Sequence, residues 1–272
     1  MQSIDQSGTD GERLATKEWG DPDDPRLVLV HGFTQSAQSW SRLAADLAAD
    51  YAVVAVDLPG HGRSAHISPE NLATAAHLVG ASGGRGIYIG YSLGARVALT
   101  LALNRPELVD ALVLISSSPG IVDLQERSRR READWALAER LDPSDGSKPR
   151  ISIEQFLEEW LAQPLFCDLD ELAQDRGSRV HNSTCALGRS LRATSVGEME
   201  PLHQRLAELK MPVLCLAGER DLLYVGRARE TASMIGRNAA ARIISGAGHA
   251  LCFERPREFL RVLGDFLENL PG

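Results

Sequence analysis

Six short apolar runs constrain this chain more than anything else in it: Leu27–Val30, Ala52–Val56, Gly86–Ile89, Ala111–Ile115, Val213–Leu216 and Ala241–Ile244. They are rich in branched residues and almost uninterrupted by polar ones. A strand with one wet face would alternate, so these read as strands covered on both faces, as in a parallel sheet. Helix-like stretches between them, such as Trp40–Ala49, Leu93–Leu103 and Ala228–Met234, supply the covering layers.

The alternation stops after Ile115. From Pro119 to about Leu209 the chain is helical in pattern, charged and richer in arginine. A breaker cluster from Leu141 to Pro149 divides two helical stretches, and Phe156, Leu157, Trp160 and Leu161 then recur at helical spacing. The strand-and-helix pattern resumes at Lys210-Met211-Pro212-Val213. This divides the 272 residues into a sheet domain, 1–118 with 210–272, and a helical insertion or lid, 119–209, laid over one edge. Such a length can bury a large core without disulfide or metal staples.

Composition excludes several classes of function. Lys and Arg number 29 against 37 Asp and Glu, a net charge of −8, the wrong balance for gripping a nucleic-acid duplex. No apolar run approaches the ~20 residues that span a bilayer. The polar, acidic start, Met1 to Asp10, lacks the basic and apolar regions of a signal peptide. Cys167, Cys185, Cys215 and Cys252 have no paired spacing and read as reduced, mostly buried thiols suited to a cytoplasm. In that setting the Asn182-Ser183-Thr184 sequon is idle. Neither a metal-ligand cluster nor a dinucleotide-binding glycine motif is evident, so no cofactor is expected.

The chemistry centres on Gly90-Tyr91-Ser92-Leu93-Gly94, between a predicted strand and a predicted helix. A turn this tight requires small flanking residues and thrusts the serine out above the sheet, near a helix N-terminus that favours negative charge. A serine hydroxyl needs a base, and the base needs an orienting partner. Of seven histidines only His249 follows the last strand, in the glycine-rich loop Ser245–Ala250, from which it can reach back to Ser92. His31 and His61 precede glycines in early loops and read as loop-shaping residues; His66, His77, His181 and His203 read as surface residues. Asp221, after the strand at Val213–Leu216, is the candidate acid, with Glu219 as its rival. Backbone N–H donors for developing negative charge are expected at Leu93, directly after the nucleophile, and at Phe33 in the His31-Gly32-Phe33-Thr34 loop.

With these residues in place, the chain resembles the α/β-hydrolase superfamily from Leu27 to Phe259. The likeness rests on Leu29–Phe33, Asp57–Ser64, the serine turn, Gly218–Asp221 and Ala247–His249. It implies a mostly parallel central sheet flanked by helices, with the helical lid inserted after strand 6 of that fold. The order Ser92, Asp221, His249 agrees with it.

A narrower resemblance is to the 2-succinyl-6-hydroxy-2,4-cyclohexadiene-1-carboxylate synthases of menaquinone biosynthesis. It rests on Gly90–Arg96, Glu126–Arg131 through Asp134, Trp160–Phe166, Arg179 and Ala193–Ser195. The resemblance implies that Ser92 acts as a base and that pyruvate leaves by 2,5-elimination without an acyl-enzyme. It also implies carboxylate binding by Arg96, Arg130 and Arg179, helped by Tyr91 and Trp160. Arg96 has independent support, lying one helical turn after Ser92 on the same face. The run Arg127–Arg131 reads equally as a solvated helix face balanced by Glu126 and Glu132.

The sequence departs from that family in two places. Ala95 stands where a second glycine is usual, and Leu222-Leu223-Tyr224 carries no lysine near Leu223. The alternatives are a carboxylesterase or C–C bond hydrolase working through an acyl-serine, or a non-catalytic ligand-binding protein. The expected partner is a small carboxylate or ester.

Overall fold

The computed structural model describes residues 13–166 and 169–271; the segment Met1–Asp10 and Cys167, both read above, lie outside them. Seven strands form one sheet: β1 (Thr16–Trp19), β2 (Arg26–Val30), β3 (Ala52–Val56), β4 (Gly86–Tyr91), β5 (Val109–Ile115), β6 (Val213–Gly218) and β7 (Ala239–Ile244). Their spatial order is β1-β3-β2-β4-β5-β6-β7, parallel throughout except for β1, which runs antiparallel to β3. All six expected strands are present. The short polar run of β1 was not among them, because Thr16-Lys17-Glu18-Trp19 is held at an edge by its ladder to Val53–Val56 rather than by burial.

The uninterrupted apolar runs have a direct structural cause. Successive side chains of a strand point to opposite faces. Leu27, Leu29, Val53, Ala55, Ile87, Ile89 and Val113 therefore join one core, while Val28, Val30, Val54, Val56, Tyr88, Leu112 and Leu114 join the other. The first core is completed by Leu43 of α1 (Ser41–Leu47) and by Phe259, Leu263 and Leu267 of α11 (Pro256–Glu268). The second takes α2 (Leu72–Gly83), α3 (Leu93–Asn104) and α9 (Leu222–Ile235). Strand β7 departs from the expectation of two buried faces: five of its six residues are partly or fully exposed, as befits an edge.

Two helices differ from the sequence reading. The stretch Trp40–Ala49 begins instead as a 3-10 turn, Ala37–Trp40, before α1. Helix α9 starts at Leu222, six residues before Ala228, because the Asp221 side chain accepts from the Tyr224 N–H and caps it. Helix α2, capped by Asn71, carries no strong periodic signal and was not anticipated.

Between β5 and β6 the chain forms α4 (Leu124–Leu141), α5 (Ile153–Leu161), α6 (Glu171–Gln174), α7 (Arg176–Arg179) and α8 (Thr184–Thr194), with no strand among the described residues. The breaker cluster falls in the α4–α5 connection, and Phe156, Leu157 and Leu161 are buried on α5. This helical segment leaves the sheet after β5, the strand that follows the serine-bearing β4 in the chain. It covers the carboxyl ends of the central strands rather than one edge, as the shared lining of the cavity described below shows. Asn182 fastens it there: its side chain accepts from the Gly62 N–H and donates to the Thr34 carbonyl. The sequon asparagine is thus buried and fully used.

The sharp junction between β4 and α3 depends on contact with β2. A Cβ on Gly94 would lie 2.1 Å from the Val30 carbonyl oxygen and 2.5 Å from that of His31. Helix propensity alone predicts that Gly94→Ala stabilises the protein by about 1 kcal/mol. The clash with backbone reverses that sign, and we expect a loss of at least ~2 kcal/mol in urea unfolding; a stabilised variant would refute the packing argument.

Candidate active site

Ser92 sits between β4 and α3 with φ 52° and ψ −109°, a strained conformation for a residue with a side chain. The turn keeps Gly90 side-chain-free as well, since a Cβ there would come within 2.5 Å of Ala95 Cα and the Gly94 carbonyl. From this perch Ser92 Oγ lies 3.2 Å from His249 Nε2. On the far side of the ring, His249 Nδ1 is 2.7 Å from Asp221 Oδ2. An ionised carboxylate only accepts, so Nδ1 carries the proton and Nε2 is left to accept from the serine hydroxyl. The three expected residues therefore form one hydrogen-bonded series, contributed by three different strand ends.

Each partner is held by its loop. Gly218, at the end of β6, packs so close to the histidine loop that a Cβ would meet the Gly248 carbonyl at 2.1 Å. Glu219, the rival acid, is exposed and accepts from the Gly246 N–H at 2.8 Å, so it braces the histidine loop without touching the ring. Glu254 does more: its two carboxylate oxygens accept from Gly248 N (2.6 Å) and Ala250 N (3.0 Å), the amides on either side of His249. Sequence reasoning missed Glu254, although an acidic residue five positions after the histidine was a usable signal. Tyr91, Tyr224 and Phe166 enclose the imidazole at ring distances of 5.5, 4.7 and 6.0 Å.

A cavity of about 90 Å³ opens on Ser92 and His249. Its walls include Phe33, Tyr91, Leu93, Arg96, Arg130, Trp160 and Arg179, so every expected site residue lines it except Asp221, which stands behind the histidine. The Phe33 and Leu93 N–H groups have no backbone acceptor among the described residues. Larger grooves, of about 750, 980 and 690 Å³, open elsewhere, and none of the three is lined by the serine or the histidine.

The cavity has an apolar side and a cationic side. Phe33 and Trp160 meet edge to face at 5.2 Å, and Trp160 and Phe166 lie 5.8 Å apart. On the cationic side, Arg96 Nη1 donates to the Thr194 carbonyl at 2.6 Å. Arg179, 2% exposed, donates through Nε to the Gln174 carbonyl and through Nη1 to Thr34 Oγ1. Among the described residues neither guanidinium is paired with a carboxylate. Burial pulls the Arg96 pKa down to about 10 and lowers that of Arg179, so Arg96 still carries its charge at neutral pH. Burial also raises the phenols of Tyr91 and Tyr224, which remain neutral hydrogen-bond donors.

The arginine run on α4 divides between the two readings given above. Arg127 pairs with Glu200 and Arg131 approaches Glu198, whereas Arg130 lines the cavity with its Nε held by Asp134 at 2.9 and 3.0 Å. Asp134, Ser195 and Tyr224 also line the cavity and were not assigned roles from sequence. Asp134 lies four residues after Arg130, a spacing that places both on one helix face. Leu223 is 64% exposed and is not part of the lining.

Fold and geometry together define a class: the chain belongs to the alpha/beta hydrolase family, whose signature matches residues 27–262. A Serratia proteamaculans (strain 568) relative named 2-succinyl-6-hydroxy-2,4-cyclohexadiene-1-carboxylate synthase is 30% identical over 95% of this chain and all of its own length. A Bacillus subtilis (strain 168) protein, given the same name provisionally, is 31% identical over 99% of this chain and all of its own. Among solved structures, MenH from S. aureus superposes with a TM-score of 0.82 at 31% identity, covering 94% of this chain and 98% of that one. No helix among the described residues is long and apolar enough to cross a membrane.

His31 and His61 lie beneath the site as a buried pair, 5.1 Å apart. His31 Nε2 accepts from the Leu58 N–H, which fixes a neutral tautomer. Burial, with mutual repulsion in the case of His61, lowers their pKa values to about 4 and about 3. Between the ordinary value of 6.5 and those values, the unfolded chain binds protons that the folded one refuses. Their contribution to stability is therefore whole above about pH 6.5 and is lost as pH falls towards 4 and 3. His61→Gln should flatten the acid limb of unfolding free energy against pH by about 1.4 kcal/mol per pH unit between pH 6 and 4. An unchanged slope in denaturant titrations would show that His61 is not buried neutral.

Proposed function

We propose that this protein is a cofactor-independent enzyme in which Ser92, His249 and Asp221 form a catalytic triad. In this reading it eliminates pyruvate from a polycarboxylate menaquinone precursor to give 2-succinyl-6-hydroxy-2,4-cyclohexadiene-1-carboxylate. The observation that carries the reading is the meeting, in one cavity, of the Ser92–His249 pair with the guanidinium groups of Arg96 and of the buried Arg179, neither of which has a carboxylate partner among the described residues. A buried cation with no counter-ion is expensive, and an anionic substrate supplies the missing charge. The relatives named above support the choice of reaction.

In the proposed mechanism His249 Nε2 takes the Ser92 hydroxyl proton, and Asp221 holds the imidazole in the tautomer that can do so. The serine oxygen then removes a proton from the bound substrate, the ring double bond shifts as a second one forms, and the bond between the ring carbon and the ether oxygen breaks; the departing enolate takes the proton held on His249 and tautomerises to pyruvate. Arg96, Arg130 and Arg179 grip carboxylates as planar forks, with Tyr91 and Trp160 shaping the site. The N–H groups of Phe33 and Leu93 form an oxyanion hole for the enolate oxygen that develops. Residues 1–118 and 210–272 make the core domain and 119–209 the lid. Because about 90 Å³ is well below the ~300 Å³ of typical ligand sites, the lid moves outward to admit substrate.

A second reading is favoured by Leu223, whose exposed place outside the cavity leaves no cation where the family carries a lysine. In that reading Ser92 attacks a carbonyl and the same oxyanion hole serves ester or C–C bond hydrolysis through an acyl-serine. Purified protein given the family substrate and short-chain p-nitrophenyl esters separates the two, and ester turnover far exceeding pyruvate release would reject elimination.

Ser92→Ala should lower the rate by at least ~10³-fold. His249→Ala should abolish labelling of Ser92 by a fluorophosphonate probe, whereas persistent labelling would mean that another group is the base. Arg130→Ala should raise KM for the anionic substrate about tenfold or more, and for a neutral ester far less. Equal effects on both would remove Arg130 from carboxylate binding.

A further inference from the structure

Arg96 and Arg130 reach the cavity from different parts of the fold, one on α3 beneath the sheet's carboxyl ends and the other on α4 above them. Neither helix alone sets the distance between the two guanidinium groups. Both are tied instead to one dipeptide at the end of α8. Arg96 Nη1 donates to the Thr194 carbonyl at 2.6 Å. The next residue, Ser195, donates its hydroxyl to Asp134 Oδ2 at 2.7 Å, and Asp134 holds Arg130 Nε on both oxygens. The Gly197 N–H donates to Ser195 Oγ at 3.0 Å, which leaves the hydroxyl hydrogen directed at Asp134. Thr194 and Ser195 are 3% and 1% exposed, and Asp134 is 7% exposed, so the linkage itself is built into the interior while the Arg130 side chain it holds is 46% exposed.

A carboxylate in a cavity meant for anions works against binding by charge alone. Its placement makes sense as a tether: by engaging Nε it leaves both terminal nitrogens of Arg130 without a hydrogen-bond partner among the described residues, the edge that grips a carboxylate bidentately. We infer that the Thr194-Ser195–Asp134 linkage is a spacer that fixes the separation of the Arg96 and Arg130 forks and so selects dianionic substrates by the distance between their carboxylates. Asp134 and Ser195 are positioning residues in this scheme. The inference rests on the proposal that the cavity binds a polycarboxylate.

Titration calorimetry of the full chain with succinate, glutarate and adipate tests both ideas without requiring turnover. The unmodified protein should prefer one chain length over its neighbours by about tenfold. Ser195→Ala should weaken the preferred ligand about tenfold, the usual effect of losing a hydrogen bond to a charged group, and reduce the preference to about twofold. Ser195→Thr keeps the hydroxyl and should restore the preference. Asp134→Asn provides a second reading of the same linkage, with thermal unfolding confirming that each variant is folded. Uniform weakening of all three ligands, or an unchanged preference in both Ser195→Ala and Asp134→Asn, would overturn the spacer while leaving the polycarboxylate site intact. Failure of the unmodified protein to bind any of the three would overturn the site and the spacer together.

Discussion

The close approach of helix α3 to strand β2 underlies everything the site does. With no side chain at Gly94, the first turn of the helix rests against the Val30 and His31 carbonyls, and Ser92 is forced to positive φ at the bend. That conformation costs roughly 1–3 kcal/mol and persists because the surrounding sheet and helices leave no alternative. It also sets the direction of the hydroxyl, above the carboxyl ends of the strands where the loops after β6 and β7 can meet it. His249 and Asp221 are reached through these two later loops, which are held together by Gly218 packing on Gly248 and by the carboxylates of Glu219 and Glu254. The strain at Ser92 and the bracing of His249 are thus two sides of one arrangement: one residue is over-determined by backbone packing, the other by backbone hydrogen bonds.

Charge is the second organising constraint. The chain is acidic overall, yet its central cavity gathers Arg96, Arg130 and Arg179 beside the serine. On α4, Arg127 pairs with Glu200 and Arg131 approaches Glu198, whereas Arg130 lines the cavity with its Nε held by Asp134. Desolvation makes such an arrangement unfavourable in the absence of an anion, and the same desolvation strengthens the attraction once an anion enters. Phe33, Trp160 and Phe166 add an aromatic wall to the same cavity.

Much of this was legible along the chain. The strands showed as unbroken apolar runs because both faces of a parallel sheet are buried, and the serine turn showed because its glycines are demanded by backbone contacts only 2.1 to 2.5 Å from where a Cβ would stand. Strand β1 and helix α2 were silent: one is polar and held by its ladder, the other is built largely of small residues with no strong stripe. The start of α9 was displaced for a related reason, since its cap is the same Asp221 that orients the histidine. Asp134 and Ser195 looked ordinary in sequence because they meet each other across 61 positions.

The sequence by itself determined the class of fold, the serine bend and the order of its three polar residues, since each of these follows from local backbone geometry and burial periodicity. Only the tertiary structure places Asp221, and not Glu219, against His249, and Arg130, alone among the arginines of α4, in the lining of the cavity. Those choices turn on which side chain reaches the cavity and which finds a carboxylate or amide at the surface. Chain spacing measures position along a segment, whereas an ion's partner depends on how separate segments are brought together in space.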